Sequence, residues 1–373
     1  MIELIQGDCL EKLKELPENS VDSIVTDPPY GLSFMGKKWD YDVPSIEIWR
    51  EALRVLKPGG HLLSFGGTRT YHRLVVNIED AGFEIRDCIQ WLYGSGFPKS
   101  HNLKDEYKGY GTALKPANEP ICVARKPLEK GLTVAENVLK YGCGAINIDG
   151  SRIAVSDDDP NHGRNGSISL EDGGKTSMFK QGGRNPEYGG NTLAPNGRWP
   201  ANLILDEVAA EMLDEQSGIV KSGGNTNRKG GFNKQYVGGE SEHSKKVTTT
   251  LDRGTGGASR FFYVAKASKS ERNAGLDGMP EKATHRYGAG IGEGLDPNAP
   301  SNDKNFHPTV KPIKLNQYLI KLVTPSNGVV LDPFMGSGST GVAAKNLGFK
   351  FIGIELSQEY FEISQKRINQ GGV

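Results

Sequence analysis

Apolar and polar positions fall into short blocks at both ends of the chain, and their period switches from block to block. Ile2 to Gln6 is a short apolar run closed by Gly7-Asp8, which predicts a strand. Leu10, Leu13 and Leu16 follow at helical spacing, with Pro17 after them. Val21 to Val25 (VDSIV) predicts a buried strand. Pro44-Ser45 then opens a helix carrying Ile46, Trp49, Leu53 and Leu56 on one face, and the helix is expected to stop at Pro58-Gly59-Gly60. His61 to Phe65 predicts the next strand, with more at Ile85–Leu92 and Ile121–Ala124. Strands alternating with helices predict an α/β protein with a parallel sheet.

From about residue 130 the pattern weakens. A helix-like piece, Thr133 to Tyr141, leads into chain rich in Gly, Asn, Ser and Asp. Order returns at Trp199 to Met212, and Ser217 to Ser259 is again full of glycine pairs. Such stretches are loops, or chain that a partner orders. The α/β pattern resumes after Phe306. The expected organisation is one α/β domain in two pieces, residues 1–130 and 301–373, around a Gly-rich, partly flexible insertion at 131–300.

Composition changes this picture little. The 373 residues carry 45 basic and 45 acidic side chains, so net charge points to no partner. The exception is Lys221 to Gly275, with 11 Lys/Arg against 4 Asp/Glu, a local excess of +7 on glycine-rich chain. For the segment as a whole that suits phosphate contacts with DNA; for any single lysine there a solvated loop residue is the better reading. Cys9, Cys88, Cys122 and Cys143 are widely spaced, which argues against a zinc site or a disulfide framework and fits a reducing cytoplasm. The N-terminus MIELIQGD lacks the layout of a secretory signal, and no window approaches a membrane span.

Two motifs carry the chemistry. The strand at Val21 runs into Thr26-Asp27-Pro28-Pro29-Tyr30-Gly31. Two prolines end the strand's hydrogen bonding and stiffen the chain. A carboxylate beside an aromatic plate suits a flat, amino-bearing group such as a nucleobase; a plain turn fits the same letters. The second motif is Val329-Val330-Leu331-Asp332-Pro333-Phe334-Met335-Gly336-Ser337-Gly338-Ser339-Thr340. A strand enters a glycine turn, a helix (Thr340–Leu347) leaves it, and the next strand, Phe349 to Ile354, ends in Glu355. Glycines let a ligand approach the backbone, the helix N-terminus offers free N–H groups, and the acid is placed for ribose hydroxyls. No Walker lysine is present, so a nucleoside triphosphate is not favoured. Read as a two-glycine turn, the loop puts NAD second and S-adenosylmethionine first. An ordinary βαβ turn is the bland alternative.

TDPPYG followed by DPFMGSGST resembles the paired signatures of DNA methyltransferases that modify an exocyclic amino group. The order, with the catalytic motif first, the recognition region second and the cofactor loop last, resembles the β-class of that family. His307-Pro308-Thr309-Val310-Lys311-Pro312 resembles its HPTxKP element. Trp91 with Phe97-Pro98, then Asn118-Glu119-Pro120-Ile121, resembles the segment before its recognition region. The resemblance covers residues 1–130 and 300–373. It implies a Rossmann-like S-adenosylmethionine-dependent methyltransferase fold with a circularly permuted mixed sheet. In that sheet the strands at Val329, Phe349, Ile2, Ser23 and His61 stand first to fifth, with Asp8, Asp27, Asp332 and Glu355 on one edge.

The resemblance implies Asp27, Pro28, Pro29 and Tyr30 as the catalytic set. It implies Asp8, Cys9, His307, Thr309, Lys311, Asp332, Phe334, Gly336, Gly338, Thr340 and Glu355 around the cofactor, and no metal. Judged locally, Asp8 reads as a helix cap. Phe34 is read as core rather than as a second wall for the base. The implied substrate is double-stranded DNA in a bacterial or phage-infected cell. A homodimer and a cognate restriction endonuclease are compatible partners. An Asp before Pro-Pro-Tyr leans toward adenine N6, with cytosine N4 as the alternative. RNA or glutamine methylation fits less well, because the protein-modifying relatives have Asn at the position of Asp27. Methylation at ring carbon would need a Pro-Cys pair, and no cysteine follows a proline. A DNA-binding protein with a retired catalytic fold would have degraded motifs, and the expected acids are all present.

Overall fold

The computed structural model describes residues 1–32, 40–94, 96, 100–155, 197–221, 255–265, 269–279, 281–284, 301–307 and 309–370. Phe34, Phe97, Pro98, Arg253, Pro308 and most of the basic stretch after Lys221 lie outside the described residues. The chain divides into two compact units, the first comprising Met1–Ser151, Pro200–Met212 and Phe262–Val373 and the second Arg152–Trp199 and Leu213–Phe261.

In chain order the elements are β1 (Ile2–Gln6), α1 (Cys9–Glu15), β2 (Val21–Thr26), α2 (Ile46–Val55), β3 (Leu56–Phe65), α3 (Tyr71–Asp80), β4 (Glu84–Leu92), β5 (Asn118–Arg125), α4 (Val134–Tyr141), β6 (Leu203–Asp206), α5 (Glu207–Ser217), β7 (Val220–Lys221), β8 (Thr255–Gly256), β9 (Tyr263–Ala265), β10 (Lys282–Thr284), β11 (Ser301–Asp303), α6 (Ile313–Val323), β12 (Val329–Asp332), α7 (Ser339–Asn346), β13 (Lys350–Glu355) and α8 (Gln358–Gln370). The first unit is built on a nine-stranded sheet in the order β1-β13-β12-β2-β3-β5-β4-β6-β9. Its five strands from β1 to β3 are parallel, and β5 runs antiparallel to both its neighbours. This is the permuted mixed sheet expected from the motif order.

Alternating side chains explain the layers. Ile24, Leu62, Leu331 and Ile352 face α1, α2 and α3 through Leu13, Trp49, Ala52 and Leu74. Their sequence neighbours Val25, Leu63, Val330 and Phe351 face the other way, onto Leu315 and Leu319 of α6 and Val342 and Ala343 of α7. β2 is buried at every residue, so its polar groups must find partners. Asp22 takes Lys57 Nζ at 2.6 Å and Val329 N at 2.7 Å, and Ser23 Oγ meets Thr324 Oγ1 at 2.8 Å.

Three differences from the expected elements have local causes. Leu56 is not the end of a helix face but the start of β3, with extended backbone (ψ 139°) and a pairing to Val21. Pro58-Gly59-Gly60 forms an irregularity within that strand, where the register jumps before Ser23 meets His61. β6 and β9, from the stretch expected to be insertion, add parallel strands beyond β4. Helices α3, α5, α6 and α8 join those expected from the pattern. No helix among the described residues is long and apolar enough to cross a membrane.

In the second unit, β7 pairs antiparallel with β8, and Asp214 accepts from Ser259 N at 2.8 Å and Ser259 Oγ at 2.7 Å. Arg260 donates to the carbonyls of Gly256 and Gly257 and lies 4.4 Å from the Phe261 ring centroid.

Candidate active site

Parallel strands send their C-terminal ends to the same edge, which is where ligands bind in open α/β sheets. Asp8 follows β1, Asp27 follows β2, Asp332 ends β12 and Glu355 ends β13. The strands of the two motifs pair side by side, and a side-chain hydrogen bond joins them at that edge: Thr26 Oγ1 donates to Asp332 Oδ1 at 2.7 Å. Asp332 also accepts from Phe334 N at 3.1 Å. Burial pushes its carboxyl up to about 7, against the lowering effect of these donors and of the Thr340 hydroxyl.

The glycine turn is held from both sides. Gly336 N donates to Glu355 Oε2 and Ser357 N to Glu355 Oε1, each at 2.8 Å, so one oxygen of this carboxylate holds the glycine loop and the other the turn that follows β13. Arg367 of α8, 1% exposed, donates to the Ser337 carbonyl at 2.6 Å and to Ser337 Oγ at 3.0 Å. Gly336 (φ +54°) and Gly338 (φ +81°) sit in the left-handed region, and Gly338 is the N-cap of α7. A Cβ on Gly336 would stand 2.9 Å from His307 Nε2. The turn is not a two-glycine one. Gly341 completes a Gly-x-Gly-x-x-Gly spacing, and a Cβ there would lie 2.4 Å from Ile368 Cδ1 and 2.7 Å from Phe351 Cε1. The third glycine serves helix–strand packing, so glycine spacing alone does not separate S-adenosylmethionine from a dinucleotide.

The remaining residues expected near the cofactor divide. His307 packs against this loop with its ring 4.5 Å from Tyr360, edge to face. Burial, with the Lys311, Arg272 and Arg367 charges, lowers it to about 3, so the imidazole is neutral. Asp8 Oδ1 caps α1, accepting from Leu10 N at 3.0 Å and Glu11 N at 3.2 Å. Burial pushes the Cys9 thiol up to about 12, so it stays protonated. Thr309 is exposed, and Phe334 packs with Trp49 at a ring separation of 6.3 Å. Lys311 points elsewhere: its ammonium is 2.6 Å from Asp27 Oδ2.

Asp27 therefore stands in a polar cluster. Tyr30 Oη lies 2.8 Å from Asp27 Oδ1 and 3.0 Å from Glu119 Oε2, and Lys311 Nζ is 3.3 Å from the same Glu119 oxygen. Burial, followed by the Asp27 and Glu119 charges, raises the Tyr30 phenol well above its usual range and keeps it protonated. The turn itself is held by Asp40, 2% exposed, which accepts from Tyr30 N at 2.6 Å, Gly31 N at 3.0 Å and Leu32 N at 3.3 Å. Thr70 Oγ1 donates to the Tyr30 carbonyl at 2.5 Å. Asp40 is not among the residues expected from sequence, and Glu119 is expected only within the segment before the recognition region, with no place at the site. An acid at the head of the apolar strand β5 was the available signal for Glu119, whereas Asp40 lies in chain without periodicity.

A family model described as DNA methylase, of the N6/N4 methyltransferase type, matches residues 21–366. The chain belongs to the N6/N4 DNA methylase family. S-adenosylmethionine is the methyl donor of this family, and the residues present fit it: the left-handed glycine turn has no Cβ in the way, and Glu355 ends the next strand. The chain is 52% identical over 65 residues to the type II methyltransferase M2.LlaDCHI of Lactococcus lactis subsp. cremoris, a match to 17% of this chain that spans about a quarter (24%) of that relative. It is 22% identical over 423 aligned positions to the type II methyltransferase M.HindIII of Haemophilus influenzae, covering 99% of this chain and 96% of that one. Among solved structures, the cytosine-N4-specific PvuII DNA methyltransferase aligns with a TM-score of 0.49 and 17% identity, covering 99% of this chain and 87% of that one.

Proposed function

We propose that the protein methylates the N6 amino group of adenine in double-stranded DNA, by direct transfer to a base turned out of the helix. The observation that carries the reading is the junction of the two motifs, where the Thr26–Asp332 bond brings the Asp27 turn beside the Gly336 turn on one sheet edge. Asp rather than Ser at position 27 supports adenine.

An exocyclic amino nitrogen is a poor nucleophile because its lone pair is delocalised into the ring. The Asp27 carboxylate accepts one amino N–H and the Pro28 carbonyl the other, which draws the nitrogen toward tetrahedral geometry and frees the lone pair. The donor sulfonium supplies an electrophilic methyl when bound, its S–CH3 bond breaking to leave a neutral thioether while the methylated nitrogen sheds one N–H proton to solvent; the protein supplies position and electrostatics. Turning the base out costs a few kcal/mol, and stacking on Tyr30 returns roughly 1–3 kcal/mol. Residues 131–300 are assigned to target recognition. Of the arginines in this stretch, Arg272 donates to the carbonyls of Asn305 and His307, at 3.2 and 2.6 Å, and serves the HPT segment. The likeness to type II enzymes supports work in a bacterial cytoplasm beside a cognate endonuclease.

The test is transfer of isotope-labelled methyl from S-adenosylmethionine to unmethylated genomic DNA, with nucleosides resolved by mass spectrometry. Label in N6-methyldeoxyadenosine is expected. Label in 4-methyldeoxycytidine would move the target to cytosine, and no label in DNA would end the reading.

A further inference from the structure

We propose that Lys311, with Glu119 as its second counter-charge, is a positioning residue that orients the Asp27 carboxylate. The inference rests on the methyltransferase reading and gives the HPTVKP lysine a task at the base-holding carboxylate rather than at the cofactor.

Lys311 is 7% exposed, and its ammonium lies 5.0 Å from the Phe65 ring centroid and 5.5 Å from that of Tyr30. A lysine so far from water needs charged partners. It has two, at 2.6 Å on Asp27 and 3.3 Å on Glu119. Burial works to neutralise the ammonium, but the two carboxylates outweigh it and raise its pKa. Lys311 arises before α6, Asp27 after β2 and Glu119 on β5, so the contact joins three segments far apart in sequence.

The charge count gives the arrangement a purpose. Asp27 and Lys311 alone would form a neutral pair, and Asp27 would be a weakened acceptor. With Glu119 sharing the ammonium, the cluster keeps one net negative charge. The amino nitrogen gains positive charge as it takes a methyl group, and it does so facing that excess. Lys311 fixes Oδ2, leaving Oδ1 and the Tyr30 hydroxyl on the other side of the carboxylate. The other titratable groups facing the cluster are Tyr93, Asp332 and His307, drawn from the neighbouring strands and the HPT segment.

Lys311→Met, Lys311→Arg and Glu119→Gln test the role. Single-turnover methylation of unmethylated genomic DNA is followed at neutral pH, and S-adenosylmethionine binding by calorimetry. Lys311→Met should slow transfer by about 100-fold or more at neutral pH. Cofactor affinity should stay within about threefold, and Lys311→Arg should restore part of the rate. Glu119→Gln should slow transfer without moving cofactor affinity. Loss of cofactor binding in Lys311→Met parallel to the loss of rate, or an unchanged rate of transfer, would overturn the proposal. A melting cycle of Asp27→Asn, Lys311→Met and the double variant needs no activity. Non-additive shifts support the pair, and additive shifts refute it. If the cycle shows coupling but the wild-type protein methylates nothing, the methyltransferase reading has failed and this role fails with it.

Discussion

Replacing Asp332 by asparagine isolates one buried charge. Asp332 is 2% exposed, and its carboxyl rises from an ordinary 3.8 to about 7 because burial disfavours the charged form. A folded-state pKa above the unfolded one gives stability that is complete below the unfolded value and is lost as pH rises through the folded value. Below about pH 4 the group is protonated in both states and sets no slope. Above it, the unfolded chain releases the proton freely while the folded protein holds it or buries a charge. Integrated between about pH 5 and pH 8, this group alone costs the folded protein about 2.5 kcal/mol. Asparagine keeps an oxygen that can accept from Thr26 and removes the titration. Urea unfolding of both proteins across this range separates the effect from every other carboxylate, because the rest cancel in the difference. Relative to the variant, the wild type should lose about 2.5 kcal/mol between the two ends. Parallel stability curves would refute the placement of an elevated Asp332 at the junction of the two motifs.

Other perturbations reach different parts of the site. Asp27→Ala should lower methyl transfer by roughly 10²–10³-fold or more while S-adenosylmethionine still binds, measured by product formation and calorimetry; retained transfer would refute the role of the carboxylate. Gly336→Trp places a side chain where φ is +54° and a Cβ would already stand 2.9 Å from His307 Nε2, so calorimetry should detect no cofactor binding; normal affinity would refute the loop assignment. Asp40→Ala strands three N–H groups of the Tyr30–Leu32 turn and should cost about 2–4 kcal/mol in urea unfolding, with transfer falling as well; an unchanged midpoint would show that the turn holds without it.

The sheet was legible because its core strands are short apolar runs that end in an acid or a glycine, and their order follows once the two motifs are aligned. What escaped depends on tertiary contact. β6 and β9 have four and three residues, too few for a period, and they become strands by pairing beside β4. Leu56 fits the apolar spacing of α2, but pairing with Val21 draws it into β3. Lys311 could be located by its motif, whereas the direction of its four-carbon stem is set by Phe65, Tyr30 and two acids from distant segments. Asp8, read locally as a cap and topologically as a ligand for the cofactor, uses one oxygen for the cap in the structure.

The central claim is that Asp27 and the Gly336 turn form one site that methylates adenine in DNA. Expression of the protein in a bacterial host free of DNA methylation, with long-read sequencing of the host genome, tests it most directly. N6-methyladenine should appear at one recurring sequence and vanish with Asp27→Ala. A genome carrying 4-methylcytosine instead, or no modified base at all, would contradict it.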